Sequence, residues 1–174
     1  MRRVLVPAVV LVLAAGCGGG GVTPLRWAGS VCAALKPWRD RISGLNAQAA
    51  REMTAAKTPS ETRDNLLRLF AGARQASEQA RVKVVAAGVP GVDGGRTIAD
   101  RFAGSVAGVR DAYGKAHDTV QGLPLTPAKK FYDAVTAAIG TLNKEYAAAG
   151  LDTTRLASAE LRKDFNEAPA CTSG

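Results

Sequence analysis

Histidine is almost absent from this chain, and that absence excludes several common kinds of catalytic site. Among its 174 residues there is one histidine, His117, so motifs that need two, such as H-E-x-x-H, are excluded. The G-x-S-x-G elbow of serine hydrolases does not occur. The stretch GVPGVDGG (88–95) lacks the Lys-Ser/Thr pair that follows a phosphate-binding loop, so it predicts a turn.

Aromatic residues and long runs of like charge are also scarce. Aromatics make up 5% of the chain and no five like charges stand together, so we expect no nucleic-acid partner. The carboxylate pairs Asp111 with Asp118 and Glu160 with Asp164 fall on predicted solvated helix faces, which favours a surface role over catalysis. The sequence therefore predicts a protein that is not an enzyme and holds no cofactor or metal. The dispersed net charge of +8 suits a soluble surface or contact with an anionic membrane.

The first sixteen residues have the three parts of an export signal. Arg2 and Arg3 give a positive start, residues 4–13 form an apolar run, and Ala-Ala-Gly supplies small residues for cleavage. An apolar run of ten residues, at a rise of about 1.5 Å each, is too short to cross a hydrocarbon core about 30 Å thick. We therefore predict a signal peptide over residues 1–16.

Cys17 follows this segment directly, and LAAGC (13–17) resembles the lipobox of bacterial lipoproteins. In that family the cysteine thiol receives a diacylglyceryl group and becomes the new N-terminus after cleavage. The resemblance implies lipidation of Cys17 and anchoring at the extracytoplasmic face of the cell membrane. An ordinary secretory signal is the alternative. The glycines that follow predict a lipidated cysteine and flexible tether over residues 17–25, ahead of a folded domain over 26–174.

Two further cysteines, Cys32 and Cys171, stand near the two ends of the predicted domain. An even pair of cysteines in an exported protein predicts a disulfide, because the compartment outside the cytoplasm is oxidising. A metal site is disfavoured, because no cluster of further ligands accompanies either thiol.

The remainder of the chain predicts helix. The whole chain has 33 alanines, which favour helix, and apolar residues of the remainder recur every three or four positions in four long stretches. These stripes run from Cys32 to Met53, Leu66 to Val84, Ile98 to Val120 and Phe131 to Tyr146, with a short fifth helix at about Ser158–Asn166. We predict an all-α fold, a monomeric up-down-up-down four-helix bundle with a short C-terminal fifth helix.

Prolines mark the predicted helix boundaries. Pro37 predicts either a kink in the first helix or a short helix followed by a longer one. Thr58, Pro59 and Glu61 have the spacing of an N-cap, an N1 proline and a capping-box glutamate. Thr126-Pro127 repeats the cap-then-proline pattern ahead of the fourth helix.

Three longer stretches resemble the small, alanine-rich helical lipoproteins of actinobacteria. They are WAGSVCAALKPW (27–38), AAGVPGVDGG (86–95) and KDFNEAPAC (163–171). The resemblance implies a helical fold and a location in the cell envelope, and it implies no activity.

Tyr113 and His117 are the one pair of side chains whose spacing suits ligand binding. They are four residues apart on a predicted helix, so they are neighbours and could serve as axial and supporting haem ligands. The alternative is that Tyr113 packs at the edge of the core while His117 is exposed or caps the helix end. We expect a membrane-tethered interaction module that binds an envelope protein, a polymer or anionic lipid. The second hypothesis is a lipoprotein that binds haem or a small apolar ligand.

Overall fold

The computed structural model describes residues 21–55, 58–150 and 158–172, and these ranges form a bundle of helices. The helices are α1 (Pro24–Ala55), α2 (Pro59–Ala86), α3 (Gly95–Gln121), α4 (Ala128–Ala149), α5 (Ala159–Glu167) and α6 (Pro169–Thr172). The predicted all-α bundle of four long helices and a short C-terminal helix is confirmed, and the single turn of α6 is an addition. The predicted signal peptide and Cys17 lie outside the described residues.

Each long helix packs antiparallel against the next one in the chain. Residues near the end of α1 meet the start of α2, where Arg68 Nη2 lies 3.0 Å from Glu52 Oε2. At the opposite end, Trp27 Nε1 at the start of α1 donates to the carbonyl of Gly88 just after α2. This up-and-down order places the apolar stripes of α1, α2, α3 and α4 in one continuous core.

Helices α4 and α5 share the fourth position of the bundle. Helix α4 packs on α3 and α2, and no Cα atom of α4 lies within 8 Å of one in α1. Helix α5 instead packs on α1, where the ring centroid of Phe165 lies 5.9 Å from that of Trp27. The same ring stacks on Phe102 of α3, with the centroids 5.7 Å apart. One half of the bundle is therefore closed by α4 and the other half by α5.

The helix boundaries follow the local signals at most of the predicted places. Thr58 caps α2, accepting from the amide of Glu61, while the Glu61 carboxylate accepts from the Thr58 amide. Helix α4 begins one residue later than predicted, because its N-cap is Pro127 and not Thr126. The Pro127 carbonyl oxygen accepts hydrogen bonds from the backbone amides of Lys130 and Phe131.

Helix α1 runs without a break through Pro37, so the alternative of two separate helices is wrong. The buried side chains of Leu35 and Trp38 flank the proline and hold both halves of α1 against the core. Their packing outweighs the loss of one helical hydrogen bond at an exposed position.

The folded domain begins earlier than the predicted boundary at residue 26. The Val22 amide donates to the Val89 carbonyl at 2.9 Å, and the Gly91 amide donates to the Val22 carbonyl at 2.8 Å. Helix α1 then begins at Pro24. Residues 21–25, which the sequence assigned to the flexible tether, are therefore held in the domain by backbone pairing with the loop between α2 and α3.

Candidate functional site

Cys32 and Cys171 are joined across the two ends of the chain, as predicted. Their sulfur atoms lie 2.00 Å apart and their Cα atoms 5.1 Å apart. Cys32 is buried in α1, whereas Cys171 lies in α6 and is partly exposed. The bond fixes the C-terminal helices α5 and α6 to the first turns of α1, where they complete the core.

Tyr113 is a core residue of α3. Its ring centroid lies 6.4 Å from that of Phe70 in α2 and 6.2 Å from that of Tyr146 in α4. Burial, with a smaller contribution from Tyr146, raises the pKa of Tyr113 to about 12. The phenol is therefore neutral at physiological pH, and it bridges three helices of the bundle.

His117 has a different partner. It is partly buried, and its Nδ1 lies 3.0 Å from Oδ1 of the exposed Asp118, the next residue in the chain. Tyr113 packs on rings of α2 and α4, whereas His117 pairs with a surface carboxylate of its own helix. The two predicted ligand candidates thus have separate surroundings.

A shallow cavity of about 260 Å³ lies between α3 and α4. Small side chains form most of its wall, because five of its lining residues are Ala112, Ala116, Ala134, Ala137 and Ala138. Lys115 and Glu145 also line the cavity, and they form an ion pair in which Lys115 Nζ lies 2.9 Å from Glu145 Oε1. Neither Tyr113 nor His117 lines this cavity. Its volume is below the range of about 300–1,000 Å³ that is typical of ligand pockets.

An ion-pair cluster joins α2 to α3. Hydrogen bonds from Arg81 and Arg110 lower the pKa of Glu78 to about 2. Arg110 Nε also donates to Asp111 at 2.8 Å, which lowers the pKa of that carboxyl group. Asp111, one of the surface carboxylates considered from the sequence, is thus a partner in a structural ion pair. Glu160 is exposed, as expected for a solvated face.

Two buried polar contacts were not foreseen from the sequence. Trp38 Nε1 donates to Ser77 Oγ at 3.0 Å, and Ser77 Oγ donates to the Ala73 carbonyl at 2.8 Å. Ser77 is fully buried in the apolar stripe of α2. A tryptophan and a serine 39 residues apart in the chain carry no local signal of such a contact.

Exposed apolar side chains concentrate at one end of the domain. Among the described residues, five large apolar side chains are exposed: Val85 (55%), Val82 (54%), Leu25 (46%), Tyr132 (41%) and Tyr146 (38%). The first three lie at the end where α1 begins and α2 ends. Val82 and Val85, which are the most exposed, lie together with Lys83 and Ala86 in the last turns of α2. We call Val82, Lys83, Val85 and Ala86 the α2-end surface.

No protein-family model, curated protein or solved structure matches this chain. Across residues 21–55, 58–150 and 158–172, no group of three or more His, Cys, Asp or Glu side chains is placed to hold a metal ion. None of the helices in these ranges has the length and apolar character needed to cross a membrane.

Proposed function

We propose that this chain is a lipid-anchored extracytoplasmic protein whose helical domain acts by surface contact rather than by catalysis. The bond between Cys32 and Cys171 carries the proposal, because disulfides persist in oxidising compartments outside the cytoplasm. The LAAGC motif supports anchoring through Cys17, only a few residues before the domain begins at residue 21. Candidate partners are an envelope protein, an envelope polymer or anionic lipid.

The titrating groups support a role without catalysis. A general acid or base works best with a pKa close to the operating pH. Here the pKa of Glu78 is lowered to about 2 and that of Tyr113 is raised to about 12. Both shifts lead away from neutrality: hydrogen bonds from Arg81 and Arg110 lower the pKa of Glu78, and burial in the core raises the pKa of Tyr113. These groups therefore serve the stability of the bundle.

Binding of a small apolar ligand or haem is the second candidate, and it is the weaker one, because the cavity between α3 and α4 is smaller than typical ligand pockets and neither Tyr113 nor His117 lines it. Titration of the purified protein with haem, followed by the Soret band, tests this candidate, with His117→Ala as the comparison. A tight complex that is lost in His117→Ala would replace surface contact as the function.

The anchor is tested by Cys17→Ala in the full chain. We expect no acylation, and either accumulation of the uncleaved precursor or release of the protein from the membrane. Cys32→Ala is the matched control, because it removes a cysteine of the domain, together with its bond to Cys171, and is expected to leave acylation intact. Intact-mass measurement of the membrane fraction gives the readout. A Cys17→Ala protein that is processed and retained like the wild type would overturn the anchor.

A further inference from the structure

We propose that the α2-end surface rests on the anionic headgroups of the membrane, so that the domain is held in one orientation instead of turning freely above it. The inference depends on the lipid anchor proposed for Cys17. It adds a second membrane contact, made by the folded domain itself, and it names the part of the domain that makes this contact.

The first step is the place where the chain leaves the domain. Val22 pairs through its backbone with Val89 and Gly91 in the loop that follows α2. Gly21 packs so closely on this loop that an added Cβ would lie 2.8 Å from the Gly91 Cα. The chain therefore leads toward Cys17 from a fixed point beside the end of α2.

The second step is the length of chain between this point and the anchor. Only Gly18, Gly19 and Gly20 separate Cys17 from Gly21. A chain of this length spans at most about 14 Å when fully extended. An acylated Cys17 lies at the membrane surface, so this end of the domain is confined to that distance from the lipid.

The third step is the chemistry of the surface so confined. Val82 and Val85 are more than half exposed, and they are three residues apart on one side of α2. Lys83 between them is exposed, as are Arg26 and Arg96 at the same end of the bundle. Apolar side chains at the headgroup boundary beside cations are the combination that binds an anionic interface. Two exposed acids lie at this end, Asp93 in the adjoining loop and Asp100 one turn after Arg96, so the three cations exceed them by one positive charge.

The proposal is tested by hydroxyl-radical footprinting of the lipidated full-length protein, reconstituted in lipid vesicles that contain no other protein. The vesicles contain phosphatidylglycerol, and mass spectrometry measures the oxidation of each side chain. The reference is a variant with about twenty glycine and serine residues inserted after Gly19, which span about 25 Å on average and release the domain from the surface. We expect severalfold less oxidation of Val82 and Val85 in the wild type. Tyr132 and Tyr146, exposed on α4, should be oxidised equally in both proteins.

A charge reversal supplies the matched control. Lys83→Glu should raise the oxidation of Val82 and Val85 toward that of the long-tether variant. Lys130→Glu, the same change on the exposed start of α4, should leave it unchanged. Equal oxidation of Val82 and Val85 in the wild type and the long-tether variant would overturn the proposal.

The mass of the N-terminal peptide distinguishes a failure of the lipid anchor from a failure of the proposed membrane contact. A peptide without lipid on Cys17 overturns the anchor and this inference together. A lipidated protein whose α2-end surface is unprotected in vesicles overturns the inference alone. Protection that occurs in native membranes but not in protein-free vesicles would assign the surface to a protein partner, and would also overturn it.

Discussion

At the scale of single residues, two glycines of α3 have opposite surroundings. Gly95 begins the helix where the preceding loop turns back, and an added Cβ would lie 2.1 Å from the Pro90 carbonyl oxygen. Gly104 is exposed in the helix interior, and an added Cβ there has no neighbour within 4 Å. The first glycine is required by a close backbone approach, and the second only weakens the helix.

Alanine substitutions at these two glycines should therefore change stability in opposite directions. We expect Gly95→Ala to destabilise the domain by about 1–3 kcal/mol, because the loop must shift to relieve the contact. We expect Gly104→Ala to stabilise it by about 0.5–1 kcal/mol through helix propensity. Urea unfolding followed by circular dichroism measures both. An effect of the same sign in the two variants would contradict this account of the α2–α3 loop.

Glu78 makes the stability of the domain depend on pH. Its pKa falls from a usual 4.5 to about 2 in the folded protein, since Arg81 and Arg110 bind the charged carboxylate. A lowered folded-state pKa stabilises the fold above pH 4.5, and the contribution disappears as the pH falls toward 2. Glu78→Gln should therefore lower the melting temperature at pH 7 and have little effect near pH 2. A difference that is constant between pH 7 and pH 2 would contradict this role.

At the scale of helices, boundaries with purely local causes could be predicted from the sequence. The capping box of α2 needs only Thr58, Pro59 and Glu61, so its spacing in the sequence was sufficient. The fate of Pro37 could not be predicted in this way. Whether a helix continues through a proline depends on how firmly Leu35 and Trp38 pack on other helices, and that is a property of the whole core.

Because α1 continues through Pro37, we expect this proline to lower the stability of the domain. Proline in a helix interior removes one backbone hydrogen bond and is disfavoured by about 3 kcal/mol relative to alanine. We expect Pro37→Ala to stabilise the domain by about 1–2 kcal/mol, since the more flexible unfolded chain offsets part of the gain. Pro59→Ala is the control, because proline fits the N1 position of α2 and its removal should give no gain. Equal gains in both variants would refute the explanation.

At the scale of the whole molecule, the sharing of one bundle position by α4 and α5 had no signature in the sequence. Both helices have apolar stripes, and a stripe does not say which neighbour it will meet. The division is set by distant contacts, with Phe165 packing on Trp27 and Phe102 at one end and Tyr146 meeting Tyr113 nearer the other. Tyr113 likewise meets Phe70 and Tyr146 of other helices, which are contacts that the sequence does not encode locally, whereas His117 pairs with its neighbour Asp118.

The bond between Cys32 and Cys171 should contribute much of the stability of this arrangement. The two cysteines are 139 residues apart. A cross-link over so long a segment lowers the entropy of the unfolded chain and thereby stabilises the fold by about 4–5 kcal/mol. The double variant Cys32→Ser with Cys171→Ser should keep its helical content at low temperature. It should melt about 10 °C or more below the wild type.

Reduced wild-type protein is the control for this variant, because it lacks the bond but keeps both sulfur atoms. Its melting temperature should fall in the same way if the cross-link, and not the packing of Cys32, is responsible. Without the bond, α5 is held to α1 mainly by Leu161 and Phe165, so a protease should cut ahead of α5 more readily than in the oxidised protein. Reduced and oxidised proteins that melt together and resist the protease equally would show that packing alone holds the C-terminal helices in place.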